Sequence, residues 1–191
     1  MTEQTGPQRP IDPSMEGSSS FADLGISDFL LTVLDKMGLS VPTPIQCKAI
    51  PIAIAGQDLI GIAQTGTGKT YAFGVPMIER LDKTSGQGLI IAPTRELALQ
   101  VGDSLQKLGQ SFGLKVAVLI GGQPFDRQLA TLRRDRQIIV VTPGRLIDHL
   151  KRRTFKLDQV DVLVLDEADM MLDMGFAPQI KEILEQMPTT H

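Results

Sequence analysis

The sequence predicts a single α/β domain built on a doubly wound, mostly parallel sheet with helices on both faces. Three observations carry this expectation. Short runs of near-continuous Val, Ile and Leu recur along the chain, as in parallel strands covered on both sides. Between them lie stretches whose apolar residues repeat at helical spacing, and strands alternating with helices imply right-handed crossover units. Finally, every chemically loaded segment directly follows a strand candidate, and sheets of this kind bind ligands at the carboxyl ends of their strands.

At 191 residues the chain is long enough for one well-packed domain. Residues 1–20 are rich in Pro, Gly, Ser and Gln and almost free of large apolar side chains. Such a segment cannot bury enough surface to offset its ordering entropy, so a disordered tail is expected there and an ordered domain over 21–191. Ile26, Phe29, Leu30, Val33, Leu34 and Met37 follow at helical spacing, with Ser27 or Asp28 at the start and Gly38 at the stop. Asp58–Ala63 is a short apolar strand candidate, and after a glycine-rich turn Lys69–Leu81 reads as a helix. Leu89–Ala92 is a strand, and Thr94 caps a helix whose apolar face is Leu97, Val101, Leu105 and Leu108. Val116–Ile120 is a strand, and Phe125, Leu129 and Leu132 mark a helix. Ile138–Val141 is a strand, with Pro143 at the first position of the next helix. Val160–Leu165 is the last strand, and Ile180, Ile183, Leu184 and Met187 form a closing helical stripe.

Composition excludes several classes. Hydrophobic residues make up 42% and charged residues 21% of the chain, the mix of a soluble globular protein. No apolar run has the length to cross a bilayer, and Met1–Ser20 contains no secretory h-region. The single cysteine, Cys47, fits a reducing compartment and reads as a half-buried structural thiol. A cytoplasmic protein is expected, or a nuclear one if the source has a nucleus. The net charge of −3 argues mildly against a nucleic-acid partner. A basic patch can nevertheless sit on an acidic domain: Arg133, Arg134 and Arg136 cluster, as do Lys151, Arg152, Arg153 and Lys156, while Asp158–Asp173 is acidic. The two basic clusters read as solvated faces.

Ala63-Gln64-Thr65-Gly66-Thr67-Gly68-Lys69-Thr70 follows a strand candidate and opens a helix. Its glycines let the backbone curl so that successive N–H groups and the helix N-terminus face phosphate oxygens. Lys69 would place a positive charge on the β- and γ-phosphates, and the Thr70 hydroxyl would ligate Mg²⁺. Ala63 stands where the strict pattern has its first glycine. The competing reading is a chance glycine turn, against which stand the flanking strand and helix and the register of Lys-Thr. Val160–Leu165 runs into Asp166-Glu167-Ala168-Asp169. A carboxylate at the end of an apolar strand beside a phosphate loop is a second Mg²⁺ anchor, which assigns Asp166; Glu167 is placed to orient or deprotonate an attacking water. A plain helix cap is the alternative for this cluster.

Taken together, these residues resemble the DEAD-box RNA helicases, whose name spells Asp166-Glu167-Ala168-Asp169. The remaining motifs appear in order: Ala63–Thr70, Pro93-Thr94-Arg95-Glu96-Leu97-Ala98, Gly121-Gly122 and Thr142-Pro143-Gly144-Arg145. Gly38–Gln46 resembles the Q motif, and Phe21 lies seventeen residues before Gly38, where the family carries an aromatic. The resemblance covers residues 21 to about 187 and implies a RecA-like P-loop domain using ATP and Mg²⁺. It implies that Gln46 hydrogen-bonds the adenine edge and that Phe21 packs near the base. Gln64, Thr65, Gly66, Thr67, Gly68, Lys69 and Thr70 would hold the phosphates. Thr70 and Asp166, the latter through water, would hold the metal. Lys69, Asp166 and Glu167 would act in catalysis, and Asp169 would couple the nucleotide site to a second domain. Pro93, Thr94, Arg95, Gly121, Gly122, Thr142, Gly144 and Arg145 are implied to touch RNA through its sugar-phosphate backbone, without reading sequence. A first core residue at Phe21, a helix-surface amide at Gln46, a mere turn at Gly121-Gly122 and a mere helix cap at Thr142-Pro143 are the plainer alternatives.

The chain ends at Met187-Pro188-Thr189-Thr190-His191, without the family's Ser-Ala-Thr motif or its second RecA-like domain. In the family that domain supplies phosphate-stabilising arginines and the other half of the RNA groove. A monomeric fragment is therefore expected that binds nucleotide, hydrolyses ATP poorly and does not unwind RNA unaided. Two alternatives stand beside this: a related motor acting on DNA, and a non-enzymatic short form that binds nucleotide or a partner.

Overall fold

The computed structural model describes residues 20–134 and 136–188. The expected tail over 1–20 thus lies, apart from Ser20, outside the described residues.

Phe21–Leu24 forms one 3-10 turn, followed by α1 (Asp28–Lys36), α2 (Pro44–Ile54) and α3 (Lys69–Leu81). Strand and helix then alternate: β1 (Gln87–Ile91), α4 (Arg95–Gly109), β2 (Val116–Leu119), α5 (Phe125–Leu132), β3 (Ile138–Val141), α6 (Pro143–Lys151) and β4 (Val160–Leu165). Two short helices close the described chain, α7 (Ala168–Asp173) and α8 (Ala177–Leu184). The four strands run in the order β2-β3-β1-β4, every pair parallel. The α/β class and the doubly wound arrangement are as the sequence predicts.

Alternation along the strands separates the core into two layers, because successive side chains of a strand point to opposite faces. Ile90, Ile138 and Val140 pack with Leu30, Leu34, Ile78, Leu105 and Leu108 from α1, α3 and α4. Leu89, Ile91, Ile139 and Val141 pack on the other face with Leu146, Ile147 and Ile183 from α6 and α8. All four residues of β3 are fully buried, which explains its unbroken Ile-Ile-Val-Val. Helix α3 reaches α4 at Gly74, where a Cβ would stand 2.6 Å from Leu105 Cδ2.

One expectation needs correction, and one helix was not foreseen. Asp58–Ala63 forms no strand: residues 57–64 carry no regular structure, and Ile60 and Ile62 are 95% and 94% exposed. Apolar residues make a strand only where a neighbour takes up the backbone N–H and C=O groups, and among the described residues none pairs with this run. Strand β4 meanwhile ends the described sheet, bonded to β1 alone. Helix α2 was not expected from the pattern. Its N-cap is Thr43 and Pro44 holds its first turn, but Pro51 lies inside it, and an interior proline reads in sequence as a helix stop. Cys47 is half-buried, as expected.

Among the described residues no helix is long and apolar enough to cross a membrane.

Candidate functional site

The sheet brings the predicted residues to one edge. Pro93, Thr94 and Arg95 follow β1, Gly121 and Gly122 follow β2, Thr142 follows β3, and Asp166 follows β4. Parallel strands emit their following loops on the same side, so segments distant in sequence converge there.

The glycine-rich loop curls through two left-handed residues, Gly66 (φ 81°) and Gly68 (φ 89°), a conformation that L side chains avoid. Gly68 is the N-cap of α3, and no side chain caps that helix. Tyr71 N–H bonds to Gly68 O at 3.2 Å, which leaves the N–H groups of Lys69 and Thr70 at the helix start to face an anion. The Thr67 hydroxyl donates to Gln64 O at 2.6 Å, tightening the loop. Gln64, Thr65 and Gly66 are exposed, while Thr67 through Thr70 are half-buried.

Lys69 Nζ donates to Glu167 Oε1 at 2.7 Å across 98 residues of sequence. This contact sets the loop against the end of β4. Glu167 itself is left-handed (φ 51°, ψ 49°) at the N-cap of α7, uncommon for a residue with a Cβ. Asp166 continues the β1–β4 ladder, its N–H donating to Ile91 O at 2.9 Å. It is 9% exposed. Burial, and then the neighbouring Glu167 charge, push its carboxyl above the usual aspartate range, with Lys69 pulling the other way. A cation beside Asp166 would relieve that repulsion. Among the described residues no three His, Cys, Asp or Glu side chains gather to hold a metal unaided. A hard cation here would take its other ligands from phosphate, water and the nearby Thr70 hydroxyl, as Mg²⁺ does. The residues thus fit Mg²⁺ arriving with a nucleotide.

Gln46 is 3% exposed. Its Oε1 accepts from Thr43 N–H at 2.9 Å, and its Nε2 donates to Gly68 O at 3.0 Å. The amide is thereby tied to the phosphate loop. Phe21 is 4% exposed and belongs to the core layer on the α1 side; its turn packs on α2, the helix that carries Gln46. Asp169 is exposed in the first turn of α7.

A second group gathers along the same edge. Thr94 Oγ1 caps α4, accepting from Leu97 N–H at 3.2 Å, and Arg95 follows as its first residue. The Arg95 guanidinium lies on Gly122, where a Cβ would sit 2.6 Å from Nη1. Gly122 is also left-handed, at φ 77°. Arg145 Nη1 donates to Gln123 O at 3.3 Å, and its Nε lies 3.7 Å from Asp148. Thr142 is the N-cap of α6, Pro143 takes its first position, and Gly144 is exposed beside them. The arrangement joins two arginines, a hydroxyl and closely approachable glycine backbone, groups suited to a phosphodiester chain.

Sequence reasoning missed a cluster beside this group. The Phe125 ring stacks on His149 (centroids 4.4 Å apart, planes at 22°), and the Arg152 guanidinium lies over the same ring at 4.3 Å. Arg152 thus has a packing role beyond a solvated face, whereas Arg133, Arg134 and Arg153 are exposed as expected. No spacing rule links residue 125 to residue 149, since the two lie on different helices. A separate cleft of about 340 Å³, lined by Gln87, Arg133, Arg153 and Lys156 among others, opens at the opposite ends of the strands. It contains none of the predicted site residues.

Comparison with known proteins gives one consistent result. Residues 43–191 match the DEAD/DEAH box helicase family model. The chain is 50% identical over 175 residues to the DEAD-box ATP-dependent RNA helicase CshA of Bacillus cereus, covering 91% of this chain and 33% of that protein. It is likewise 50% identical over 172 residues to the ATP-dependent RNA helicase CshA of Listeria monocytogenes, covering 89% and 33%. The chain spans about a third of the length of these curated relatives. Among solved structures it resembles a DEAD box protein from Methanococcus jannaschii, with TM-score 0.83, 38% identity, and 88% of this chain against 47% of that one. It also resembles a hypothetical ATP-dependent RNA helicase from Sulfolobus tokodaii, with TM-score 0.79, 35% identity, and 84% against 47%. This chain, with its glycine-rich loop set against Asp166-Glu167-Ala168-Asp169, belongs to the DEAD/DEAH box helicase family.

Proposed function

We propose that the chain is the ATP- and RNA-binding half of an ATP-dependent RNA helicase, acting in the cytoplasm. The observation that carries this reading is the Lys69–Glu167 contact at 2.7 Å, which joins a phosphate-binding loop to a water-orienting carboxylate. Residues 64–70 and the start of α3 hold the phosphates. Gln46 and Phe21 lie toward the base, Gln46 exchanging its bond to Gly68 O for the adenine edge. Thr70, and Asp166 through water, would hold Mg²⁺, which would supply neutralisation of phosphate charge. Glu167 orients a water toward the γ-phosphorus, so that ADP and phosphate leave. Pro93 to Arg95, Gly121, Gly122, Thr142, Gly144 and Arg145 grip the RNA backbone, and Asp169 passes the nucleotide state to a second RecA-like domain. The parent protein couples hydrolysis to separating RNA strands or remodelling RNA–protein complexes. In that reading the second domain supplies arginines each worth orders of magnitude in rate, so residues 21–191 on their own hydrolyse ATP slowly.

The test is Mg²⁺-dependent ATP hydrolysis by this chain with and without single-stranded RNA, alongside ADP and RNA binding. Binding of both ligands with little turnover, unchanged by RNA, is expected. Failure to bind ADP would sink the nucleotide assignment. Brisk RNA-stimulated turnover would instead show that no second domain is needed.

A further inference from the structure

Phe125 begins α5, three residues after Gly122, and is half-buried. Its ring meets three groups, all from α6 or its C-terminal end. His149 stacks on it at 4.4 Å, the Arg152 guanidinium lies over it at 4.3 Å, and the Arg145 guanidinium carbon lies 5.8 Å from its centroid. Both guanidinium contacts fall within the range of cation–π attraction.

His149 is completely buried. The Thr154 hydroxyl donates to His149 O at 3.1 Å and lies 2.9 Å from Nδ1. A hydroxyl has one proton to give, so it can be the donor in only one of these two contacts. Among the described residues Nε2 has no hydrogen-bond partner. Burial and the adjacent Arg145 hold the imidazole's pKa down to about 4, so the ring is neutral at physiological pH. A neutral imidazole stacks on Phe125 without adding a third positive charge beside Arg145 and Arg152. The polar ring is thus kept in the core at the cost of an unsatisfied nitrogen, and what it gains there is the face of Phe125.

The geometry points to Phe125 as a positioning residue for RNA binding: it locks the Gly121-Gly122 loop, through α5, onto α6 and so holds Arg145 in place for phosphate. Arg145 has two other tethers, the 3.3 Å bond to Gln123 O and the 3.7 Å contact with Asp148. The first of these starts from the same loop that Phe125 anchors. When the ring is lost, loop and arginine are released together. This inference rests on the RNA-binding reading above, and Phe125 itself touches no RNA in it.

The test compares the unaltered chain with Phe125→Leu, which keeps apolar volume but removes stacking and cation–π contact, and with Phe125→Tyr, which keeps the ring. Each is titrated with a single-stranded oligouridylate across a salt series and, separately, with MgADP. Phe125→Leu is expected to bind RNA on the order of tenfold more weakly. Its salt dependence should fall by about 0.7 in log–log slope, the signature of one lost phosphate contact on a single strand. MgADP affinity should stay unchanged, and Phe125→Tyr should restore both RNA affinity and slope. A lower RNA affinity with an unaltered slope, or a parallel loss of MgADP affinity, would mean general loosening of the domain and would overturn the inference. So would RNA binding by Phe125→Leu equal to that of the unaltered chain. If the unaltered chain itself fails to bind RNA while binding MgADP, the RNA-binding reading falls, and this inference with it.

Discussion

A lysine 2.7 Å from a carboxylate is partly neutralised before any phosphate reaches it. Lys69 and Glu167 are 20% and 15% exposed, so solvent weakens their attraction only in part. Glu167→Gln keeps the shape and one hydrogen bond from the Lys69 ammonium but removes the carboxylate charge. The carboxylate charge adds about 1 kcal/mol to that bond, the upper end of the range for ion pairs that solvent partly screens. The substitution therefore releases Lys69 by about 1 kcal/mol, which is about fivefold in affinity. It also withdraws a negative charge that faces the phosphates, which acts in the same direction. MgADP binding, measured by calorimetry, is thus expected to tighten about fivefold, while any residual hydrolysis falls for want of a water-orienting carboxylate. A Lys69→Met background tests the route: with the ammonium gone, Glu167→Gln should change ADP affinity far less. Unchanged or weaker ADP binding by a properly folded Glu167→Gln protein would refute this reasoning and show that the pair assembles the site rather than competing with its ligand.

Other expectations follow from the same geometry. Asp166 holds its proton to higher pH in the folded chain than in the unfolded one, so its ionisation opposes folding. Its effect is absent below the ordinary aspartate range, and stability is lost as pH rises through the raised pKa. Asp166→Asn should therefore leave urea-unfolding stability unchanged in strong acid and raise it near neutrality, while weakening Mg²⁺-dependent nucleotide binding. His149 has the opposite sense: its pKa falls from 6.5 to about 4, so stability present above pH 6.5 is lost as pH falls toward 4. His149→Phe, which keeps a ring against Phe125, should flatten that acid limb in an unfolding series, and an unchanged limb would count against the burial argument. Gly122→Ala puts a methyl 2.6 Å from Arg95 Nη1 on a backbone at φ 77°. It should cost about 1–2 kcal/mol of stability from the left-handed backbone and weaken RNA binding about tenfold as Arg95 is displaced, with ADP affinity intact by parallel titration.

Much of this was legible in the sequence because separate signals agreed. Lys69–Leu81, Ile138–Val141 and Val160–Leu165 form over the residues expected, and Thr94 caps its helix through its own side chain. Such elements are specified locally, by turn chemistry, capping and continuous burial. Asp58–Ala63 misled because strand-like composition does not say whether a neighbour exists to pair with it. Helix α2 was hidden by Pro51, whose missing N–H is tolerated in a helix whose Ala49 and Ile50 are buried against the core. At the site, spacing could nominate Lys69 and Glu167, but only the fold reveals that they touch. The left-handed backbone of Glu167 and the Phe125–His149 stack leave no periodic trace.

The exposed run around Ile60 and Ile62 and the outer flank of β4 also govern how this domain behaves in a test tube. One offers bare aliphatic surface, the other a strand flank that, among the described residues, no further strand pairs with. Both are adhesive, and a second molecule carries the same pair. Light scattering should accordingly climb with protein concentration and climb faster in sulfate, which strengthens apolar association. A single gatekeeper charge, Ile60→Lys or Ile62→Lys, should suppress the climb while leaving MgADP affinity where it was.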